Sequence, residues 1–405
     1  MRILPIKITN RSLTVQLMRD YGVTPSGIDI LIPKTEFYAF TLAGISSWEA
    51  NIIKQHLLSL GTDSAISRNA LVKKCKTNTV IFGNKKQLTA LCVKLKDQPF
   101  SLPAISEKLT QQLNYLNKDQ YVLSVLGRKI KVTNPIVCGI INVTPDSFSG
   151  DGLIKSKVTE KELIAVAVAQ AGKMIQQGAG MLDIGGQSTR PFSDMVTAVE
   201  ESKRVVPVIA AIRKKFPQII LSVDTYYCSV AQKALDAGAD IVNDITALTY
   251  DKRMLSLIQK TKAGCVLMHM KGMPKNMQKN PIYKNVTNEV LDFVSDRVTV
   301  CLEKNISQDQ LIIDPGIGFG KRVEDNLKLL HDLYKFKIFG LPIFVGLSNK
   351  SFIGKIIGQD VNDRTAGTVS ANIMAILNGA KILRVHDVRS TIDALKLAEA
   401  ICSTY

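Results

Sequence analysis

The amino-acid sequence predicts an α/β protein, with a (β/α)8 TIM barrel over residues 119–405 preceded by a small α+β domain over residues 1–118. Three observations carry this. From about residue 120, short β-branched or apolar runs alternate with segments whose apolar residues recur at i, i+3 and i+4, and eight such units fit into about 285 residues. Nearly every run ends in polar residues, whereas an open doubly wound sheet would gather them at one switch point, behind a Gly-rich turn after its first strand. Finally, Asn142 to Ser149, reading Asn-Val-Thr-Pro-Asp-Ser-Phe-Ser, directly follows the apolar run Ile136 to Ile141, where a barrel places its chemistry. An enzyme is the leading expectation.

In the N-terminal domain, strand-like runs lie at Ile3 to Ile8, Ile28 to Ile32, Phe37 to Leu42 and Thr79 to Phe82. Ser46-Ser47-Trp48-Glu49 is a capping-box signature that opens an amphipathic helix through Leu60. Leu102 to Leu116 reads as a helix leading into the barrel, with Pro103 suited to its first turn. No catalytic constellation precedes residue 120.

A hairpin, Tyr121 to Val132 with its turn around Gly127-Arg128, comes before the eight units. The barrel strands are expected at Ile136 to Ile141, Met181 to Ile184, Ile219 to Val223, Asp240 to Asn243, Cys265 to Met268, Leu311 to Ile313, Ile343 to Gly346 and Ile382 to Val385. Helical spacing fills the gaps, for example Leu163 to Ile175, Val205 to Ile212 and Val230 to Leu235. The polar strand ends are Asn142, Asp183, Asp224, Asn243 with Asp244, His269, Asp314, Ser348 with Lys350, and Arg384 with His386. Such a ring is how the C-terminal mouth of a barrel reads in sequence.

Composition narrows the class. With 405 residues, 46% hydrophobic and 21% charged, the chain has ample apolar material for a core and is not a disordered protein. No apolar stretch approaches the roughly 20 residues of a membrane span, and the start lacks the apolar run of a signal peptide, so a cytoplasmic protein with no membrane partner is expected. Seven scattered cysteines, never spaced as Cys-x-x-Cys and mostly within apolar runs, speak against a disulfide framework or zinc site. The net charge of +17 is spread along the chain without a nucleic-acid module, so no nucleic-acid partner is expected. A basic field would still draw a small anionic substrate.

Six motifs then carry a resemblance. Asn142-Val-Thr-Pro-Asp-Ser-Phe-Ser149, Asp183-Ile-Gly-Gly-Gln-Ser-Thr-Arg-Pro191, Ser222-Val-Asp-Thr225, Asp314-Pro-Gly-Ile-Gly-Phe-Gly-Lys321, Ser348-Asn-Lys-Ser-Phe-Ile-Gly354 and Arg384-Val-His-Asp-Val388 together resemble the dihydropteroate synthase family. The resemblance covers about residues 119 to 405. It implies condensation of 6-hydroxymethyl-7,8-dihydropterin diphosphate with 4-aminobenzoate, giving dihydropteroate and pyrophosphate, typically in a homodimer.

The reaction asks for a pterin held by its hydrogen-bonding edge, a neutralised diphosphate and an arylamine placed in line with the methylene. The resemblance assigns the pterin to Asp314, Asn243, Asp224 and Lys350, with Met268 beside His269 as an apolar wall beneath it. Outside the motif context, Asp314 and Asp224 would read as helix caps. The diphosphate falls to Arg384 and His386, two apart on one strand with Val385 facing away, and Asn142 would give an oxygen to a Mg2+ arriving with the diphosphate. Phe148, Thr189, Arg190 and Pro191 would hold 4-aminobenzoate, with its carboxylate at the helix start formed by Ser351. Lys350, Arg384 and His386 are the expected catalytic groups, serving an SN1-like departure of pyrophosphate that needs charge stabilisation more than a strong base.

Four places depart from the usual family pattern: Gln187 stands where Glu is common, Phe192 where Gly is, Asn349 where Arg is frequent, and Gly150-Asp151 inverts a usual Asp-Gly. None removes a residue assigned to the pterin or diphosphate. Two rival functions share the barrel. A pterin-dependent methyltransferase acting on a corrinoid protein would have no diphosphate to hold, against Arg384, His386 and Asn142; a non-catalytic pterin-binding protein would not need the full set.

Overall fold

The computed structural model describes residues 3, 4, 6, 8, 11–143, 159–187, 196–360 and 364–403. It divides into two compact units, Met1–Asn117 with Ile401–Tyr405, and Lys118–Ala400.

In the first unit, β1 (Phe37–Ser46), β2 (Asp63–Ile66) and β3 (Lys76–Asn84) form an antiparallel sheet in the order β1-β3-β2. The capping box at Ser46 forms as the sequence predicts. Ser46 Oγ accepts from Glu49 N at 3.3 Å and Glu49 Oε2 accepts from Ser46 N at 2.7 Å, opening the helix Ser47–Ser59. The helix Leu102–Leu116 follows, and Ile53, Leu57, Ile81, Leu88, Leu91, Leu109 and Leu113 are among the side chains that fill the core.

One of the strand-like runs is not a strand. Ile28 to Ile32 lies in the helix Pro25–Thr35, where Thr24 Oγ1 accepts from Gly27 N and Pro25 occupies the first position. Ile28 and Ile32, four apart, are the buried pair, so capping and helical spacing outweigh the β-branched composition. The described residues of Ile3 to Ile8 belong to no helix or strand and are exposed.

The second unit starts with the hairpin β4 (Tyr121–Val125) and β5 (Arg128–Val132). Its two-residue turn is Leu126-Gly127, both at positive φ (50° and 79°), while Arg128 already belongs to the strand. Eight parallel strands then close into a barrel: β6 (Ile136–Asn142), β7 (Met181–Gly185), β8 (Ile220–Asp224), β9 (Ile241–Asp244), β10 (Gly264–Met268), β11 (Leu311–Asp314), β12 (Ile343–Gly346) and β13 (Ala380–Val385). The predicted eight-unit TIM barrel is the observed fold, with strand ends shifted by a residue or two.

Alternation along each strand sorts the side chains. Val137, Leu182, Leu221, Val242, Leu267, Ile313, Val345 and Leu383 pack outward among the helices. Cys138, Met181, Ile220, Ile241, Val266, Ile312, Phe344 and Ile382 point inward and meet Tyr121, Leu123, Val125 and Val132 of the hairpin, which plugs the barrel floor. Two residues further along each strand, the same parity brings Asp183, Asn243, Met268, Asp314 and Arg384 to the inside of the mouth.

Candidate active site

The mouth is built around one guanidinium. Arg384, on β13, donates from Nε to Asp183 Oδ2 on β7 at 2.6 Å and from Nη2 to Asp224 Oδ2 on β8 at 2.9 Å. Asn243 on β9 donates to the same Asp183 oxygen at 3.1 Å. Four strands are thereby tied through one cluster, in which Asp183 is fully buried. Burial pulls the Arg384 pKa down, and the two carboxylates outweigh it and hold the guanidinium above its ordinary range. Burial pushes Asp224 up to about 7 despite the guanidinium, and the neighbouring Asp183 and Asp244 charges push the same way. Asp183 is a residue to which the sequence analysis gave no role. Its signal was a lone carboxylate between Leu182 and Ile184, since a buried charge within a barrel strand calls for a cation.

Next to this cluster lie Asp314 and Lys350. Asp314 Oδ1 accepts from Gly316 N at 2.7 Å, so it also organises the turn after β11. Burial lifts its carboxyl to about 6, against the pull of that amide and of Lys350, Lys321 and Arg384. Burial brings Lys350 down to about 8, with Asp314 and Asp224 opposing and Arg384 adding to the fall. Lys350 Nζ donates to the Ile317 carbonyl at 2.6 Å and stands 4.1 Å from the centre of the Phe319 ring. Met268 is buried with Tyr226 and Ile245, and Met270 and Phe319 pack against them, which makes an apolar wall beside the carboxylates. Asp244 turns away from the mouth to cap its own loop through Thr246 and Leu248.

At the rim the structure refines the expectation. β13 ends at Val385, so His386 is a loop residue; it is exposed, and its Nδ1 lies 3.0 Å from Ser348 Oγ. A cavity of about 200 Å3 borders this pair, lined also by Asp387 and Thr368. Ser351 opens the helix Ser351–Ile357, for which Lys350 provides no side-chain cap, and a cavity of about 350 Å3 lies against Ser351, Phe352, Lys355 and Arg322. Asn142 stands partly buried at the end of β6. Phe148, Thr189, Arg190 and Pro191 lie outside the described residues, as do Phe192 and Gly150-Asp151.

Two of the departures acquire a physical reading. Tyr226 donates its hydroxyl to Gln187 Oε1 at 3.0 Å, both side chains being buried, so the neutral amide is a hydrogen-bond partner and not a missing charge. Asn349 adopts φ of 58°, a left-handed conformation that Asn tolerates better than most residues. Among the described residues no group of three His, Cys, Asp or Glu side chains is arranged to hold a metal, and no helix is long and apolar enough to cross a membrane.

Comparison with known proteins agrees with this geometry. A family profile described as "Pterin binding enzyme" matches residues 138–386. The chain is 42% identical over 266 residues to the dihydropteroate synthase of Haemophilus influenzae, covering 66% of this chain and 94% of that one. It is 34% identical over 402 residues to the bifunctional dihydropteroate synthase/dihydropteroate reductase of Helicobacter pylori, covering 98% and 99% of the two chains. Among solved structures, dihydropteroate synthase of Xanthomonas albilineans with 4-aminobenzoic acid superposes with a TM-score of 0.65 at 38% identity, over 71% of this chain and 100% of that one.

Proposed function

The chain belongs to the dihydropteroate synthases, within the pterin-binding enzyme family, and from that premise we propose how its barrel mouth performs the reaction. The enzyme is a transferase that joins 6-hydroxymethyl-7,8-dihydropterin diphosphate to 4-aminobenzoate, yielding 7,8-dihydropteroate and pyrophosphate. The observation that carries the residue assignments is the Asp183–Arg384–Asp224 cluster beside Asp314 and Lys350, which places carboxylates, an amide and two cations around one apolar wall.

In this reading Asp314 accepts from the 2-amino and ring N–H edge of the pterin, and each such charge-assisted bond contributes about 1.5–3 kcal/mol. The bound donors return its raised carboxyl to the ionised form. Asn243 serves the rest of the edge, Lys350 the carbonyl and ring nitrogen, and Met268 the ring face. Arg384 keeps Nη1 without an acceptor among the described residues, so it offers donors to a phosphate oxygen while Asp183 and Asp224 hold the rest of the fork. His386 meets the leaving diphosphate at the rim. As the C–O bond lengthens, negative charge grows on the bridging oxygen, and the Arg384 guanidinium and the other donors there lower the barrier by meeting it. The arylamine, held by Phe148, Thr189, Arg190, Pro191 and Ser351, then attacks the methylene carbon.

The single Asn142 amide, with no carboxylate cage beside it among the described residues, fits a Mg2+ that comes with the diphosphate and takes most of its oxygen ligands from substrate and water. When bound, that ion neutralises phosphate charge. A homodimer is the proposed assembly, supported by exposed apolar side chains such as Met374 and Leu377, and light scattering of the purified protein would test it.

The synthase assignment is tested by pyrophosphate release from purified protein with the pterin diphosphate and Mg2+, with and without 4-aminobenzoate, and in Arg384→Ala. Amine-dependent release that collapses in the variant supports the assigned site. Pterin binding without amine-dependent release would instead favour a methyltransferase or a binding protein.

One observation favours a second activity. Similarity to the bifunctional Helicobacter pylori protein extends over 98% of this chain and so includes the N-terminal unit, which the synthase reading leaves without a task. Reduction of the dihydropteroate product would be sought with full-length protein and a reduced nicotinamide, with and without a flavin carrier. No conversion under either condition would set that activity aside.

A further inference from the structure

The glycine-rich segment after β11 runs between two buried lysines. On one side Lys321, only 2% exposed, donates to the carbonyl oxygens of Gly316 at 2.8 Å and Phe319 at 3.1 Å, and its Nζ lies 2.9 Å from His269 Nδ1. A longer contact, 3.3 Å, reaches the His269 carbonyl. On the other side Lys350 takes the intervening carbonyl, that of Ile317, and faces the Phe319 ring. The carbonyls of Gly316, Ile317 and Phe319 are thus shared between the two lysines, while that of Gly318 accepts from Gln278 Nε2 at 2.8 Å.

Burial brings Lys321 down to about 7, with Asp314 opposing; in its ammonium form it has three protons and no lone pair, so its three close acceptors saturate it and His269 then presents Nδ1 as an acceptor. The imidazole is suited to that, since burial and the adjacent Lys321 charge push it down to about 2 and keep it neutral. Gly316, Gly318 and Gly320 all have positive φ, and a Cβ on Gly318 would lie 2.7 Å from Lys350 Cδ. The segment therefore closes directly onto the Lys350 side chain, and its course is set by what holds its other carbonyls.

We propose that Lys321 is a positioning residue for the condensation that acts through Lys350: by pinning the Gly316 and Phe319 carbonyls it aims the Ile317 carbonyl and the Phe319 ring at the Lys350 ammonium, and so fixes that ammonium for the pterin. This rests on the role given to Lys350 above. Without Lys321, the part-buried Phe319 carbonyl would lose its donor and the Gly316 carbonyl would keep only Phe319 N, at 3.1 Å, so the segment would shift and move both groups that hold Lys350.

The test is a double-mutant cycle on the full chain, read as kcat and KM for pyrophosphate release. Lys321→Met should lower kcat/KM for the pterin diphosphate by about tenfold or more, as a displaced positioning group does. In a Lys350→Ala background the same substitution should change it by less than about twofold. Should turnover of Lys350→Ala be too slow to follow, the cycle is closed on calorimetric affinity for the pterin diphosphate. His269→Ala removes one Lys321 partner without stranding a carbonyl and replaces Lys321→Met if that variant does not fold. Its smaller loss, about threefold, should vanish in the same background. Losses that multiply equally in both backgrounds overturn the inference and leave Lys321 as scaffold. Wild-type protein without amine-dependent release overturns the synthase assignment itself, and the inference with it, before any variant is compared.

Discussion

Arg384 Nε lies 2.6 Å from Asp183 Oδ2, and the second arm of the same guanidinium lies 2.9 Å from Asp224 Oδ2. The cation assigned to the diphosphate is therefore oriented before substrate arrives, by carboxylates two and three strands round the barrel from its own. A long, flexible side chain loses much rotamer freedom on binding unless something already holds it. Two buried carboxylates supply that hold, and they leave a net negative charge around Arg384 that an incoming Mg2+–diphosphate must meet through the remaining donors.

Asp183→Asn follows from this geometry. The amide can still accept one hydrogen bond from Arg384 but brings no charge, and its NH2 competes with that of Asn243. We expect kcat/KM for the pterin diphosphate to fall by about ten- to a hundredfold, against about a hundred- to a thousandfold for Arg384→Ala. The double variant should be little worse than Arg384→Ala alone. Steady-state pyrophosphate release measures all three, and wild-type kinetics in Asp183→Asn would remove Asp183 from the site.

Asp314→Asn should separate stability from function. The folded protein raises this carboxyl from 3.8 to about 6. A carboxyl raised on folding contributes stability that is fully present below its unfolded value and is lost as pH rises through its folded value. At pH 8 wild type thus carries the cost of a buried charge that the amide avoids, while Asn can keep the bond from Gly316 N. Thermal or urea unfolding should show the variant more stable by about 2 kcal/mol at pH 8, with the gap closing toward pH 4. Pterin affinity should drop by about tenfold or more. A variant that is less stable at pH 8 would show that Asp314 is a stabilising partner in the substrate-free protein.

Much of this was legible in the sequence, for physical reasons. The barrel showed because its strands alternate with helical periodicity and because most inward-facing strand ends are polar, so Asp224, Asn243, Asp314 and Arg384 stand on inward-facing positions whose parity could be counted. The pairing of Arg384 with Asp183 was hidden, because contacts across a closed barrel join residues 201 positions apart, and no local pattern encodes them. The helix Pro25–Thr35 was misread because Ile28 and Ile32 satisfy both periods, and only the Thr24 cap with Pro25 decides between them. The role proposed for Lys321 was out of reach for another reason: its partners are backbone carbonyls, which every sequence contains.

Lys350 predicts the alkaline limb of the pH profile. Burial lowers its ammonium to about 8, and the charged form is the one that serves the pterin. Activity measured as kcat/KM for the pterin diphosphate should therefore decline above pH 8, because that ratio reports the free enzyme. In kcat the decline should come at higher pH, since the bound diphosphate favours the ammonium. Arg stays charged across this range, so whatever activity Lys350→Arg retains should lack the limb. An unchanged limb in that variant would assign it to another group.

Asn142 sets the last expectation. A lone amide oxygen supplies one of the six ligands of Mg2+, so the protein by itself should bind the ion weakly, and most of the affinity should reside in the diphosphate. Chelation should then abolish turnover and added Mg2+ should restore it, with no folding change, because no described cluster depends on the ion. Asn142→Ala should raise the Mg2+ concentration needed for half-maximal rate by about three- to tenfold at fixed pterin diphosphate, while the maximal rate falls less. Titration of pyrophosphate release against Mg2+ in the two proteins measures this shift. Identical titrations would place the ion wholly on substrate and water, away from β6.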